Sequence, residues 1–171
     1  MIIVRLETQD DICQVRILYE HAFEQAAEAR VVDKLRLTCP EHLALVADDS
    51  GTIAGHILFT PSVIEGTGRR VHGMGLAPMA VMQSYRKQGI GSRLVERGLE
   101  ILRARGCPYV IVLGHPEYYP HFGFELASKY GLVSQWEGIP DEAFMVAVLD
   151  NDALTGISGV ASYRSEFDEA M

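Results

Sequence analysis

Between residues 79 and 113 the sequence reads apolar run, glycine-containing loop, amphipathic helix, apolar run, and this order constrains the fold more than any other feature. Met79-Ala80-Val81-Met82 leads into Gln83-Ser84-Tyr85-Arg86-Lys87-Gln88-Gly89-Ile90-Gly91. From Ser92, the residues Leu94, Val95, Leu99 and Leu102 share one helical face, with Arg93, Glu96, Arg97 and Arg103 outside, and Gly106 and Pro108 end the helix. Tyr109-Val110-Ile111-Val112-Leu113 is a nearly continuous apolar strand. Two strands joined through a helix form a crossover unit, so these two are expected to run parallel.

The flanking segments supply further elements. Residues 2–6 read as a strand. Ile12, Val15, Tyr19, Ala22 and Phe23 then recur at three- and four-residue steps as a helix, with Thr8 or Asp10 available as its cap. Ala27, Val31, Val32 and Leu35 give a second helix over 27–37, which Thr38-Cys39-Pro40 ends because proline cannot donate to the helix ladder. Residues 43–47 and 52–59 flank Asp48-Asp49-Ser50-Gly51 and read as a hairpin. A strand over 71–82 carries Gly73, Gly75 and Pro78, which predict a bulge or splayed edge where something approaches the backbone. Residues 143–149 form a late strand, 150–171 carry no assigned element, and no internal repeat is present.

At 171 residues without a linker, the chain fits a single domain, 1–171, able to bury roughly 70% of the surface it exposes unfolded. Fifteen Lys and Arg against 23 Asp and Glu leave a net charge of −8, which disfavours attraction to nucleic acid or anionic membranes. The apolar runs are far shorter than the ~20 residues needed to cross a bilayer, and residues 1–6 lack a basic region before a long apolar core. The expected location is cytoplasmic. Cys13, Cys39 and Cys107 are odd in number and widely spaced, so they read as reduced packing residues, and no metal site is expected.

A helix start preceded by glycines binds anions well. Its first amides have no partners within the helix, its end carries partial positive charge, and glycine permits close backbone approach. Arg86 and Lys87 add full charges. Two rival phosphate loops fail on the letters. A Walker loop needs Gly-Lys-Ser/Thr after four intervening residues, and a dinucleotide fingerprint needs a small residue where Leu94 stands and an acid where Gly114-His115 stand.

Arg86-Lys87-Gln88-Gly89-Ile90-Gly91 resembles the Q/R-x-x-G-x-G/A motif of the GNAT acetyltransferase superfamily. The segments Glu28–Arg36, Gly55-His56-Ile57 and Tyr118-Tyr119-Pro120-His121-Phe122-Gly123-Phe124 are similar to its YhbS-like branch of N-acetyltransferases, so the resemblance covers most of the chain. It implies an α/β fold with a mixed, strongly twisted sheet flanked by helices, in which splayed parallel strands form an acyl-CoA cleft. By the same resemblance Met79, Ala80 and Val81 bond the pantetheine arm of acetyl-CoA, and Arg86, Lys87, Gln88, Gly89, Ile90, Gly91 and Ser92 hold its pyrophosphate. The implied reaction is acetyl transfer to an unidentified amine, with no metal, nucleic acid or membrane partner and with a homodimer as one permitted assembly.

In this family a tyrosine four residues before the Gly-Phe pair often protonates the departing thiolate, and the spacing selects Tyr119, with Tyr118 as its alternative. His121 occupies the place where the branch often has a basic residue. Many relatives use a glutamate on the strand leading into the loop as general base, but residues 71–82 hold no carboxylate. His72, His56, His115 and Glu28 remain as candidates, and loss of the proton to a water chain is the preferred route, asking the protein mainly for positioning. A non-catalytic acyl-CoA sensor is the rival reading.

Overall fold

A computed structural model describes every residue except Glu24. In chain order it contains β1 (Ile2–Leu6), α1 (Ile12–Ala22), α2 (Ala27–Thr38), β2 (Leu43–Asp49), β3 (Thr52–Gly66), β4 (Arg69–Val81), α3 (Ile90–Ala104), β5 (Tyr109–Leu113), β6 (Glu125–Leu126), β7 (Leu132–Ser134), β8 (Phe144–Val148) and β9 (Gly159–Ser162). Short 3-10 turns link several of these. The architecture is mixed α/β with mostly antiparallel strands and flanking helices, as the resemblance implied. Two compact units make up the chain: Met1–Phe59 with Pro78–Gly98 and Ser165–Met171, and Thr60–Ala77 with Leu99–Arg164.

In the first unit β1, β2 and the first half of β3 are antiparallel, with Ile2 opposite Asp49, Leu6 opposite Leu45 and Leu43 opposite Phe59. Leu43 to Ala47 are buried on both faces, which explains their unbroken apolar run. A bulge between Ala47 and Asp48 shifts the register of β3. Asp11 is the N-cap of α1, and Thr8 instead caps the 3-10 turn Gln9–Asp11 before it; Asp10 caps neither. The Thr8 amide and hydroxyl both donate to the Asp11 carboxylate, at 2.7 and 3.1 Å, and they close the 3-10 turn that feeds α1. Val15, Leu18 and Tyr19 of α1 and Val31, Val32 and Leu35 of α2 form the apolar stripes of the two helices.

Glycine governs how closely α3 lies on this unit. A Cβ on Gly55 of β3 would come within 3.1 Å of Ile90 and Leu94, and one on Gly98 of α3 within 2.3 Å of the buried Phe59 ring. The bare backbones of strand and helix therefore receive each other's side chains.

In the second unit β5 runs parallel to β4, with Met74, Gly75 and Leu76 opposite Val110, Ile111 and Val112, as the crossover unit requires. On its other side β5 pairs antiparallel with β8, from Tyr109 opposite Val148 to Leu113 opposite Phe144. β6 adds to β8, and β7 pairs parallel with β9, which pairs antiparallel with Val63–Gly66 of β3.

Three expectations are corrected here. β3 continues to Gly66 rather than ending near residue 59, because β9, in the unassigned stretch 150–171, gives its far half a partner. β4 is one continuous strand from Arg69, and what lies on Gly73 and Gly75 is the rings of Tyr109 and Tyr163, at Cβ distances of 2.5 and 2.6 Å. Cys13 is exposed, so only Cys39 is a fully buried packing cysteine, with Cys107 half-buried. Among the described residues no helix is long and apolar enough to cross a membrane.

Replacing an exposed helical glycine by alanine ordinarily adds about 1 kcal/mol of stability. At Gly98 the sign should reverse. Gly98→Ala is expected to cost about 2 kcal/mol through overpacking against Phe59, read from the urea unfolding midpoint.

Candidate functional site

The loop after β4 is shaped by its own backbone. Met82 N–H donates to Ala54 C=O at 2.8 Å, and Tyr85 and Arg86 amides fold back on Met82 and Gln83 carbonyls in a 3-10 turn over Gln83–Tyr85. The Tyr85 hydroxyl donates to Asp49 at 2.7 Å, and this side-chain bond anchors the turn. Lys87 then adopts φ 64° and Gly89 φ 77°. Lys87 is one of two non-glycine described residues in the left-handed region, the other being Ser50 in the β2–β3 turn. A lysine there carries backbone strain of order 1 kcal/mol, and such strain concentrates at binding loops.

Arg93 N–H donates to Gly89 C=O at 3.1 Å, so Gly89 caps α3. The amides of Gly89, Ile90, Gly91 and Ser92 precede the first helical bond and have no intrahelical acceptor. The Ile90 side chain is buried against Gly55, so only its backbone is available to a ligand. Arg86, Lys87 and Gln88 are exposed, and neither cation is ion-paired with another described residue. Arg86 Nε reaches only the Val81 carbonyl, at 3.4 Å. Free amides, a helix dipole and two unpaired cations at one turn suit an anionic ligand. Beside the turn lies a pocket of about 530 Å³, lined by Ile17, Leu18, His21 and Ala22 of α1, by Val81 and Met82, and by Arg86. It offers an apolar wall with a cation at one edge. Of the other residues expected to hold a cofactor, Met79 and Val81 are half-buried on β4 and Ala80 is buried.

A buried polar chain lies behind β4. The Tyr19 hydroxyl is 2.7 Å from His56 Nδ1 and donates to the Pro78 carbonyl at 3.1 Å. His56 Nε2 is 3.1 Å from Glu7 Oε1, close but without the alignment of a hydrogen bond. Arg36 donates twice to Glu7, and its Nη1 also bonds Asp33, which in turn accepts from Arg16. Burial alone raises the Glu7 carboxyl, but His56 and Arg36 outweigh it and hold Glu7 at about 2. Burial also dominates at His56 and lowers it, so the ring is neutral. With the Nε2 proton turned to Glu7, His56 Nδ1 and the Pro78 carbonyl share the single Tyr19 proton; this tautomer follows from the network. His56 is thus locked in the interior of the first unit.

The other base candidates differ. His72 and His115 are exposed, whereas Glu28 on α2 keeps one carboxylate oxygen buried with no hydrogen-bond partner among the described residues. Tyr119 belongs to the second unit, at the start of a 3-10 turn over Tyr119–Phe122 that Gly123 ends at φ 91°. Its ring lies on Gly114, where a Cβ would come within 2.2 Å, and it meets Tyr118 and Phe124 edge to face. Burial first, and Tyr118 second, push the Tyr119 hydroxyl well above the usual tyrosine value. That hydroxyl makes no hydrogen bond to another described residue, whereas half-buried Tyr118 packs on Phe122. Among the described residues no three His, Cys, Asp or Glu side chains could share a metal ion.

Sequence reading missed the Glu7–Arg36–His56–Tyr19 chain because its members lie 29 to 37 or more positions apart. A histidine inside the apolar run 53–59 was its one visible trace.

The fold and this loop define an α/β protein with an anion-binding turn at a helix start, and comparison with known proteins makes the class specific. The chain belongs to the GNAT acetyltransferase family, whose domain model, described as "Acetyltransferase (GNAT) domain", matches residues 4–127. It is 38% identical over 167 residues to the uncharacterized N-acetyltransferase YhbS of Escherichia coli K12, covering 97% of this chain and 98% of that one. The crystal structure of E. coli YhbS in complex with CoA matches with a TM-score of 0.89 at 37% identity, over 98% of this chain and 92% of that one. A GNAT family acetyltransferase from Brucella melitensis in complex with acetyl-CoA matches with a TM-score of 0.79 at 29% identity, over 98% and 99% of the two chains.

The site's ionisation fixes the sign of its pH dependence. Glu7 and Asp11, the latter held at about 2 chiefly by Arg5, stabilise the fold above the ordinary carboxylate range and lose that contribution as pH falls towards 2. His56, lowered by burial, takes up a proton more readily when unfolded, so it too favours folding above about 6.5 and opposes it below. Urea midpoints should be flat between about pH 7 and 8 and fall steadily below about 6.5. In His56→Gln the decline should begin only in the carboxylate range.

Proposed function

We propose that this chain is a cytoplasmic, single-domain N-acetyltransferase over residues 1–171, which takes acetyl-CoA and transfers its acetyl group to a primary amine by direct attack. The observation that carries the reading is the turn at the start of α3, where the amides of Gly89 to Ser92 stand free beside unpaired Arg86 and Lys87. A pyrophosphate is the anion that this turn suits, with Met79, Ala80 and Val81 of β4 serving the pantetheine arm. The CoA held by E. coli YhbS and the acetyl-CoA held by the Brucella protein support the donor.

In the reaction the amine nitrogen attacks the thioester carbonyl, the carbon–sulfur bond breaks, and sulfur leaves as the thiolate. Tyr119 serves the leaving group. Because burial holds its proton more tightly than a free tyrosine does, full transfer to a thiolate of pKa about 8.5 runs uphill, and the hydroxyl acts chiefly as a hydrogen-bond donor to the developing charge. The amine must arrive neutral. As the amide forms, the attacking nitrogen sheds one proton; Glu28, the one carboxylate among the candidates and the holder of an unpartnered buried oxygen, is assigned to receive it directly or through water, and the thiolate takes up a proton from solvent.

The absence of a carboxylate on β4 also suits a sensor that binds acyl-CoA without turnover. One assay separates the two readings: an amine panel scored for free thiol release, with a no-acceptor control. Release with an amine is expected, and tight acetyl-CoA binding with no release from any amine would favour the sensor. Against an accepted amine, Tyr119→Phe should lower kcat about 100-fold while acetyl-CoA affinity stays near wild type. Unchanged turnover would remove Tyr119 from the reaction.

A further inference from the structure

Tyr163 follows β9 and is buried in the second unit. Its ring lies on Gly75, where a Cβ would come within 2.6 Å, and Trp136 stacks on it at 5.6 Å and 23°. The Gln135 side-chain amide clasps its backbone, accepting from Tyr163 N–H and donating to its carbonyl. The hydroxyl reaches the Leu76 carbonyl of β4 at 3.0 Å and the Ile111 carbonyl of β5 at 3.3 Å, and the backbone of Leu113 also bonds to it.

The place of that hydroxyl follows from strand parity. Leu149 N–H donates to Pro108 C=O and Gly114 N–H to Ala143 C=O, so the even-numbered positions of β5 turn their amides and carbonyls to β8. The odd-numbered positions, Tyr109, Ile111 and Leu113, therefore face β4. With Leu76 opposite Val112, the last rung of a parallel ladder would run from Leu113 N–H to Leu76 C=O. The Tyr163 hydroxyl sits among those same groups. Among the described residues no registered β4–β5 pair follows Leu76, although β5 runs on to Leu113 and β4 to Val81.

We propose that Tyr163 is a positioning residue for acyl-CoA: its hydroxyl enters the last rung of the β4–β5 ladder, ends strand pairing at Leu76 and leaves the following backbone of β4 open to the amides of the pantetheine arm. This rests on the acyl-CoA reading given above. A side-chain hydroxyl can serve here because it both donates and accepts, so it satisfies a carbonyl on one strand and an amide on the other. Gly75 admits the ring, and Trp136 with Gln135 holds it in place. Phenylalanine keeps the ring and loses the bridge.

The test compares two ligands by calorimetry: CoA, and 3′-phospho-ADP, which keeps the phosphates of CoA but lacks the pantetheine arm. Tyr163→Phe should weaken CoA about tenfold and leave 3′-phospho-ADP unchanged. The Leu113 amide should also change its hydrogen-exchange rate. Gln135→Ala, which loosens the ring but keeps the hydroxyl, should show the same selective loss to a smaller degree, and it serves as the test if Tyr163→Phe does not fold. Equal weakening of both ligands would mark general damage and overturn the proposal, as would unchanged affinity for CoA. If the wild-type protein binds neither ligand, the acyl-CoA reading itself fails and the proposal falls with it. Wild-type binding of CoA without selectivity in the variants overturns the role of Tyr163 alone.

Discussion

One largely buried carboxylate, that of Glu7, ties the first unit together. It follows β1, accepts two hydrogen bonds from Arg36 of α2 and touches His56 of β3, which passes the contact through Tyr19 of α1 to the Pro78 carbonyl of β4. Five segments meet along one polar path. Taking these groups out of water is costly, and each is tolerable only while its neighbour is present. The network therefore specifies geometry more than it adds stability. Its far end fixes the carbonyl of a proline, where the strand has no amide to donate, just before the residues that lead into the turn at the start of α3.

The second unit is organised by rings instead of charges. Tyr109 and Tyr163 lie on adjacent odd-numbered glycines of β4, and Tyr119 lies on the glycine after β5. Their hydroxyls differ in employment. Those of Tyr109 and Tyr163 hydrogen-bond β4 carbonyls, of Val71 and Leu76, whereas that of Tyr119 bonds no described residue. Burial keeps all three protonated. Similar burial thus yields two bracing groups and one that remains available for chemistry.

Much of this was legible in the sequence because its signals are local. The crossover from Met79 to Leu113 reads from periodicity and glycine placement alone, and the strand Tyr109–Leu113 falls where its apolar run predicts. The turn at Arg86 to Ser92 was visible for the same reason, since a helix start writes its chemistry into neighbouring residues. What stayed hidden depends on partners distant in the chain. Residues 60–66 do not announce a strand, since Pro61, Ser62 and Glu65 break the apolar pattern, and they become one by pairing with β9 about a hundred positions later. Gly73 and Gly75 signalled a close approach to β4 correctly, but letters cannot show whether a ligand or the protein's own aromatic side chain makes it.

The glycine–ring pairs carry a consequence for descent. Gly73 with Tyr109, Gly75 with Tyr163, Gly114 with Tyr119 and Gly98 with Phe59 each match an absent side chain to a large one, at distances that leave no room for a methyl group. Neither member can change alone without a clash or a cavity. On steric grounds each pair should be inherited as one character, with related sequences keeping or exchanging both halves together. The loops around them are free to diverge.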